Sequence, residues 1–204
     1  MGELEKHARI FNLIAPVYNW FFHRQVKTYS AIFARYGQDI NLPQRGKVLD
    51  IGCGTGALLY SLAERGFEAV GVDFSESMLK AAKKSTGNLP VQFYRADVTR
   101  GLAFPDQSFE FVVSSYVLHG LSSGLRHRIY AEAGRLSRGP VLFYDYNKKR
   151  RILTDLIEWA EGGDYFNFVD HGEQEMRDFF ARVDKFEAGP QTALYVCQLP
   201  QYKG

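Results

Sequence analysis

Short apolar segments alternate along the chain with longer segments in which apolar residues recur every three or four positions. The short segments predict strands at 47–51, 68–72, 91–94, 109–114 and 141–146, and the longer ones predict helices at 56–65, 75–84 and 122–137. Strands that alternate with helices are typical of a parallel sheet covered by helices on both faces. The pattern therefore predicts an α/β fold.

The C-terminal part of the chain has a different pattern. Residues 151–162 and 174–181 predict two further helices, and residues 184–188 and 193–198 predict two strands. Gly189-Pro190-Gln191-Thr192, between these strands, has the composition of a hairpin turn. We therefore expect the sheet to end in an antiparallel hairpin, which a plain dinucleotide-binding fold would not need.

Length and composition fit a single enzyme-sized domain. The chain has 204 residues, of which 46% are hydrophobic, and a formal net charge of +2. So balanced a charge gives no indication of nucleic-acid binding. The dense basic segment Lys148-Lys149-Arg150-Arg151 is expected to cap the next helix or to lie on its solvated face, and contact with phosphate, a membrane or RNA is the alternative. We expect a monomer or a homodimer.

The cysteines, the histidines and the hydropathy of the chain indicate its compartment and whether a membrane span or a metal site is expected. The two cysteines, Cys53 and Cys197, do not form a disulfide framework, which favours a reducing cytoplasm. No apolar segment is long enough to span a membrane, and the first residues lack the features of a signal peptide. The five histidines show no metal-ligand spacing, so no metal site is expected.

Three glycines follow the first predicted strand closely, at Gly52, Gly54 and Gly56. Glycine adopts the positive φ angles that a tight turn needs, and its lack of a side chain leaves the backbone open to a ligand. The amide groups at the start of the next helix would face that ligand. This segment predicts a binding site for a nucleotide-like cofactor.

The spacing of these glycines leaves two cofactors open. Dinucleotide sites have the pattern G-x-G-x-x-G, and here Ala57 stands where the third glycine would fall, a replacement that is sometimes allowed. Asp50 would place negative charge beside an anionic pyrophosphate, whereas a cationic amino group or sulfonium would be attracted to it. Asp50 therefore favours S-adenosylmethionine over NAD or FAD; its alternative role is to cap a turn or a helix.

Two more carboxylates follow predicted strands. Asp73 comes 21 residues after Gly52, the interval at which an acid binds ribose hydroxyls, and this contact suits NAD and S-adenosylmethionine equally. Asp97 follows the third strand, where it could accept a hydrogen bond from an adenine amino group. Between them Ser75 predicts a helix cap, and Met78 either reaches the adenine edge or belongs to the core.

Four segments taken in order resemble those of class I S-adenosylmethionine-dependent methyltransferases: VLDIGCGTG (48–56), GVDFSESML (71–79), RADV (95–98) and FPDQSFEFVVSSYVLHGL (104–121). The resemblance is to the branch of ubiquinone and menaquinone biosynthesis methyltransferases, and it covers most of residues 8–145. It implies a Rossmann-like fold with a mostly parallel seven-stranded sheet, an antiparallel terminal strand, and S-adenosylmethionine as the cofactor.

The resemblance also implies roles for individual residues. In this family the glycine turn holds the methionine part of the cofactor, here through Asp50, Gly52, Cys53 and Gly54, and the acid after the second strand, Asp73, binds the ribose. The other implied contacts are Phe74 and Met78 beside the adenine, Asp97 and the Val98 amide on the adenine, and Ser114 next to the sulfonium.

The N-terminal segment FNLIAPVYNW (11–20) resembles the lid segment F-D-x-I-A-x-x-Y-D of the same branch, which implies that Tyr18 lies near the methionine end of the cofactor. Asn12 and Asn19 replace its two aspartates and remove their charge. The alternative is an aromatic helix packed on the core. We expect one domain with an N-terminal helical lid at 1–40, a cofactor-binding core at 41–146, acceptor-pocket helices at 147–182 and a closing hairpin at 183–204.

In-line methyl transfer needs mainly alignment and the exclusion of water, and a base only if the acceptor arrives protonated. His119 is the first candidate for that base because it follows the fourth strand, at the edge where open α/β sheets bind ligands. The alternative is a histidine that only shapes the pocket. Asp145 and His171 are weaker candidates.

The aromatic residues between 146 and 182 suit an apolar or aromatic small-molecule acceptor. A quinone is less well supported, since Cys53 interrupts the usual G-G-T-G-D turn and Ser137-Arg138-Gly139-Pro140 shortens the usual proline-glycine-glycine turn. An NAD-dependent oxidoreductase and a non-catalytic, cofactor-binding subunit of a methylation complex remain open as alternatives.

Overall fold

The computed structural model describes residues 22–149 and 163–200. They form a seven-stranded sheet with helices on both faces. The strands are β1 Lys47–Ile51, β2 Glu68–Asp73, β3 Val91–Arg95, β4 Phe111–Ser115, β5 Val141–Tyr146, β6 Arg182–Glu187 and β7 Thr192–Gln198. The helices are α1 (22–36), α2 Ala57–Ala63, α3 Glu76–Thr86, α4 Ser123–Leu136 and α5 Tyr165–Phe179.

The strand order is β3-β2-β1-β4-β5-β7-β6. Strands β1 to β5 are parallel, and β7 runs antiparallel to both of its neighbours, β5 and β6. The chain order reverses between β1 and β4, so the carboxyl ends of these two strands border the crevice in which open α/β sheets bind ligands. The predicted Rossmann-like fold, with its antiparallel terminal strand, is confirmed.

The sheet separates two hydrophobic clusters because successive strand residues point to opposite faces. Leu49 belongs to the cluster that α4 and α5 cover, whereas Val48 belongs to the cluster that α1, α2 and α3 cover. Both side chains are fully buried. This double coverage explains why the parallel strands β1, β2, β4 and β5 are mostly apolar in the sequence.

Helix α5 differs most from its predicted range, 174–181, since it begins at Tyr165 and ends at Phe179. The glycine inside it, Gly172, conceals the helical pattern in the sequence. A Cβ atom on Gly172 would lie 2.5 Å from Cδ2 of Phe168, so the absence of a side chain lets that buried ring pack against the helix. Glycine in this position has a packing role that propensity alone does not predict.

Other predicted boundaries shift by one or two residues. Strand β4 begins at Phe111 rather than at Phe109, because Phe109 pairs with Ser137 in an isolated bridge and leaves the ladder. The hairpin turn is confirmed, with the Ala188 and Gly189 amides both donating to the Thr192 carbonyl. The predicted helix at 151–162 and the lid segment at 11–20 lie outside the described residues. Within the described ranges no helix is long and apolar enough to cross a membrane.

Candidate functional site

The glycine turn follows β1 at the carboxyl edge of the sheet. Gly52, Gly54 and Gly56 have φ angles of 74°, 52° and 80°, a backbone region that glycine adopts at little cost. The amides of Gly52 and Cys53 donate to the Val72 carbonyl at 2.8 and 3.1 Å. These bonds fasten the turn to the end of β2, and Gly56 then begins α2 as its N-cap.

The glycines of this turn have different surroundings. A Cβ atom on Gly52 would lie 2.4 Å from Cγ2 of Val117, whereas a Cβ atom on Gly54 would have no other atom within 4 Å. Gly52 is therefore required by packing against the segment after β4. Gly54 instead presents bare backbone to open space, as a turn that receives a ligand requires.

Asp50 is the most unusual side chain of the site. It is fully buried in β1, and neither carboxylate oxygen has a hydrogen-bond partner among the described residues. Burial, followed by the nearby charge of Asp73, raises the pKa of this carboxyl well above its usual range. A buried carboxylate without a partner is costly, and a cationic ligand group would relieve that cost. The alternative role of Asp50 as a cap has no supporting hydrogen bond.

Asp73 ends β2 and joins the glycine turn to the start of α3. Its Oδ2 accepts a hydrogen bond from the Gly54 amide, and its Oδ1 accepts one from the Ser75 amide, each at 2.8 Å. Burial raises the pKa of the carboxyl, while the backbone donors act in the opposite direction. An ionised carboxylate has about four acceptor positions, so two hydrogen bonds leave capacity for ribose hydroxyls.

The three residues that the resemblance places around these acids have different exposures. Met78 is 3% exposed, and its amide donates to the Ser75 hydroxyl, which caps α3 as predicted. Cys53 is also buried, and its Sγ would lie 2.8 Å from a Cβ atom on Gly71. Its side chain belongs to the core, which leaves only its backbone for a ligand, whereas Phe74 is partly exposed beside Asp73.

Asp97 caps the short 3-10 turn Val98–Arg100. Its Oδ1 accepts hydrogen bonds from the Thr99 amide at 2.9 Å and the Thr99 hydroxyl at 2.6 Å. Its Oδ2 lies 3.1 Å from Nε of Arg100, an exposed side chain. The turn fixes both Asp97 and the Val98 amide at the end of β3, where an adenine contact would need them.

The end of β4 holds two serines with different contacts. Ser114 is 2% exposed, and its hydroxyl donates to the Ile51 carbonyl at 2.8 Å, which ties β4 to β1 beside the glycine turn. Ser115 accepts a hydrogen bond from the hydroxyl of Tyr29 at 3.1 Å. Tyr29 comes from α1 and is buried. The sequence patterns did not indicate Tyr29 or Ser115, because their contact joins residues 86 positions apart.

His119 and Asp145, singled out separately in the sequence, lie together. Nδ1 of His119 is 2.7 Å from Oδ1 of Asp145, and both residues are buried. His119 belongs to the 3-10 turn Leu118–Gly120 after β4, and Asp145 belongs to β5. His171 lies elsewhere, exposed on α5. Of the candidate bases, the structure thus brings together the first two and leaves out the third.

Four tyrosines, which we name the tyrosine cluster, pack beside this pair: Tyr116, Tyr144, Tyr146 and Tyr165. The ring of Tyr116 contacts those of Tyr144 and Tyr146, and the ring of Tyr146 also contacts that of Tyr165. All three contacts are edge to face, at centroid distances of 5.0 to 5.5 Å. Tyr116 has a φ angle of 54°, which is rare for a bulky residue and occurs most often at functional sites. The cluster gives this end of the sheet an aromatic lining.

No group of three or more histidine, cysteine, aspartate or glutamate side chains within residues 22–149 and 163–200 could hold a metal ion. Tyr18, the remaining predicted contact, lies outside the described residues.

The packing of Gly52 gives a first prediction. Replacing Gly52 by alanine should abolish ligand binding and destabilise the fold by about 1–3 kcal/mol, since the new methyl group overlaps Val117. The matched control is Gly66→Ala, which has a similarly positive φ angle of 90° and open space around it. Urea unfolding and calorimetry with S-adenosylhomocysteine would compare them. Equal behaviour of the two variants would contradict the packing role.

Comparison with known proteins agrees with this geometry. Residues 48–139 match the model of a methyltransferase domain family. The chain is 38% identical over 137 residues to a ubiquinone biosynthesis O-methyltransferase of Mesorhizobium japonicum, covering 64% of this chain and 54% of that protein. It is 32% identical over 137 residues to a demethylmenaquinone methyltransferase of Thermus thermophilus, covering 62% of each protein.

A solved structure resembles the chain over nearly its whole length. The complex of DhpI with SAH superposes with a TM-score of 0.72 at 17% sequence identity, covering 98% of both chains. The matched segments span a little over half of the two curated relatives' own lengths. These matches do not favour the oxidoreductase alternative. The fold, the order of the motifs and these relatives agree in supporting a class I S-adenosylmethionine-dependent methyltransferase.

Proposed function

We propose that the crevice above β1 and β4 binds S-adenosylmethionine and that the chain transfers its methyl group to a small-molecule acceptor. The observation that carries the proposal is the buried, unpartnered carboxylate of Asp50. S-adenosylmethionine is a cation at both its amino group and its sulfonium. Either group next to Asp50 would supply the charge that this carboxylate lacks.

The other site residues suit the rest of the same molecule. In this proposal Gly52, Cys53 and Gly54 offer backbone to the methionine part, and Asp73 accepts hydrogen bonds from the ribose hydroxyls. The remaining assignments are Phe74 and Met78 beside the adenine, Asp97 and the Val98 amide on its polar edge, Ser114 near the sulfonium and Tyr18 over the methionine end.

A dinucleotide fits the same geometry less well. Its pyrophosphate would face Asp50 across a glycine turn whose Gly52, Cys53 and Gly54 amides already donate to Val72 and Asp73. Because Asp50 is fully buried, water could not screen that repulsion. The charge of Asp50 therefore discriminates between the two cofactors in favour of the cation.

The acceptor is proposed to be an apolar or aromatic small molecule. The tyrosine cluster supports this, because aromatic rings provide a large apolar surface and prefer edge-to-face contact with other rings. Two relatives, which are named for ubiquinone biosynthesis and for demethylmenaquinone, also support an apolar or aromatic acceptor. We further propose that the chain acts in the cytoplasm, since both cysteines are free and buried. A monomer or a homodimer is proposed as its assembly.

Asp73 provides the test of ribose binding. Replacing it by asparagine should weaken S-adenosylhomocysteine by about 1.5–3 kcal/mol for each charge-assisted hydrogen bond lost, or about tenfold or more in Kd per bond. Asp178→Asn is the matched control, because Asp178 is an exposed acid on α5 that accepts a hydrogen bond from the nearby Gln174 side chain. Isothermal calorimetry measures both. Unchanged affinity of Asp73→Asn would remove this residue from the site.

A further inference from the structure

The amino-acid end of the cofactor carries a carboxylate as well as an amino group, and Asp50 can attract only the amino group. A carboxylate accepts hydrogen bonds and does not donate them, so it requires donors. It is also repelled by a second carboxylate, such as the fully buried Asp50. The donors for the ligand's carboxylate are therefore expected on the same face of the sheet as Asp50, but nearer to the carboxyl edge.

Ser115 lies in that position. In the pairing of β1 with β4, Asp50 is opposite Val113, and Ser115 follows two residues later, on the same face because strand side chains alternate. Two strand residues advance the chain by about 7 Å towards the carboxyl edge. This face is the one that α1 covers, since Val113 belongs to the cluster under α1, α2 and α3. Ser115 itself is only partly buried.

Tyr29 of α1 determines how the Ser115 hydroxyl is used. The Tyr29 hydroxyl donates to Oγ of Ser115 at 3.1 Å. Burial raises the pKa of Tyr29, its hydrogen bond to Ser115 acts in the opposite direction, and the charge of Asp50 raises the pKa further. Tyr29 therefore keeps its proton and remains the donor. A serine hydroxyl has one hydrogen of its own, and no group within residues 22–149 and 163–200 accepts that of Ser115.

A buried acceptor lies one helical turn from Tyr29. Gln25 precedes Tyr29 by four residues on α1, so the two side chains lie on the same side of the helix. Oε1 of Gln25 is buried and, like both oxygens of Asp50, has no hydrogen-bond partner in the part of the chain that the structure describes. Such an oxygen is costly until a donor reaches it. An ammonium group has three hydrogens, one for each of these oxygens.

We propose that Ser115 and Gln25 bind the amino-acid end of S-adenosylmethionine, Ser115 by donating to its carboxylate and Gln25 by accepting from its amino group. Tyr29 is the positioning residue that leaves the Ser115 hydrogen for the ligand. The proposal rests on the proposed cofactor and deepens it, because α1 then recognises the zwitterion. The site should therefore prefer adenosine thioethers that retain an intact α-amino acid.

The carboxylate contact is tested by calorimetry with S-adenosylhomocysteine and with decarboxylated S-adenosylhomocysteine, which keeps the amino group. Ser115→Ala should weaken S-adenosylhomocysteine by about 10- to 150-fold and leave the decarboxylated ligand unchanged. Thr28→Ala is the matched control, because it removes an exposed hydroxyl of α1 that donates to the Arg24 carbonyl. Equal changes for both ligands in Ser115→Ala would overturn the carboxylate contact.

Tyr29→Phe gives a second variant, which keeps the ring that packs edge to face on Tyr144 at 5.7 Å. It should weaken S-adenosylhomocysteine selectively, by about 3- to 10-fold. In the double variant with Ser115→Ala it should add no further loss, because Tyr29 acts through Ser115. A loss that adds in full, or one shared by the decarboxylated ligand, would make Tyr29 a packing residue only.

The contact of Gln25 has a different ligand profile. Gln25→Met, which keeps the size of the side chain but removes its amide, should weaken S-adenosylhomocysteine and the decarboxylated ligand by about tenfold or more. Methylthioadenosine, which lacks the amino group, should bind as before. Gln38→Met is the matched control at an exposed glutamine. Equal weakening of all three ligands would overturn the assignment of Gln25.

The outcomes separate this proposal from the function on which it rests. If the unsubstituted protein binds S-adenosylhomocysteine and Ser115→Ala, Tyr29→Phe and Gln25→Met all retain its affinity, the amino-acid end is bound elsewhere and the proposed cofactor stands. Absence of binding by the unsubstituted protein would overturn the proposed function itself. Urea unfolding of each ligand-free variant distinguishes a lost contact from a lost fold.

Discussion

Replacing Asp50 by asparagine should weaken the binding of S-adenosylhomocysteine while making the ligand-free protein more stable. Loss of a buried charge that pairs with the ligand's amino group should weaken binding by about 2–5 kcal/mol, equivalent to about a 30- to 5,000-fold increase in Kd. The opposite change in stability follows from the burial of Asp50 without a hydrogen-bond partner among the described residues. Removing this charge should raise the free energy of unfolding by about 1–3 kcal/mol.

The pH dependence of stability tests independently whether Asp50 destabilises the ligand-free protein. The pKa of Asp50 is raised in the folded protein, first by burial and then by the charge of Asp73, whereas in the unfolded chain it is about 3.9. Below that value both the folded and the unfolded state hold the proton, so the ionisation of Asp50 does not change the free energy of unfolding. As pH rises from about 4 towards the folded-state pKa, the unfolded chain releases the proton first, so stability falls.

Asp50→Asn and the unsubstituted protein should therefore have similar stability in acid. As pH rises, the variant should become increasingly more stable than the unsubstituted protein. Thermal unfolding of both ligand-free proteins between pH 4 and pH 8 measures this, with about 2–4 °C in Tm for each kcal/mol in a protein of this size. A variant that is less stable at neutral pH would show that Asp50 already has a partner in the ligand-free protein.

The second large effect is expected at Arg126, a fully buried cation on α4. Its Nε and Nη2 donate to the two carboxylate oxygens of Glu175 at 2.7 and 2.6 Å, and its Nη1 donates to Asp164 at 2.9 Å and to the Leu121 carbonyl. This network joins α4 to α5 and to the turn that carries His119. Replacing Arg126 by leucine should lower the free energy of unfolding by about 3–5 kcal/mol, since it leaves the partly buried Glu175 and Asp164 without their cation.

Urea unfolding measures this loss, and two further variants show its cause. The double variant Arg126→Leu with Glu175→Leu should recover a large part of the stability, because it removes the uncompensated charge as well. Lys80→Ala, which breaks the exposed ion pair with Glu76 one turn away on α3, should lower stability by less than about 1 kcal/mol. A comparably small loss in Arg126→Leu would contradict the structural importance of the buried network.

Much of the fold could be predicted because its inner strands β1, β2, β4, β5 and β7 are buried on both faces and are therefore mostly apolar. The glycine turn, Asp50 and Asp73 could also be predicted, since parallel strands bring their carboxyl ends to one edge of the sheet. The hairpin followed from Gly189-Pro190, whose composition indicates a turn. Helix α5 could not be delimited, because the role of Gly172 depends on where the ring of Phe168 packs.

The contacts between distant elements lay beyond the sequence patterns. His119 and Asp145 were both indicated, but as alternatives, and only the pairing of β4 with β5 places them together. The contact of Tyr29 could not be predicted, because its partner Ser115 lies on β4, 86 positions along the chain. The buried position of Arg126 was likewise hidden, since an arginine on a helix is ordinarily exposed.

The most direct test of the cofactor site is calorimetric titration with two ligands that differ in one part. S-adenosylhomocysteine contains the amino-acid moiety, and methylthioadenosine retains the adenosine but lacks that moiety. We predict that Asp73→Asn weakens both ligands, whereas Asp50→Asn weakens S-adenosylhomocysteine alone and leaves methylthioadenosine unchanged. Failure of the unsubstituted protein to bind S-adenosylhomocysteine, or an equal loss of both ligands in Asp50→Asn, would contradict the account.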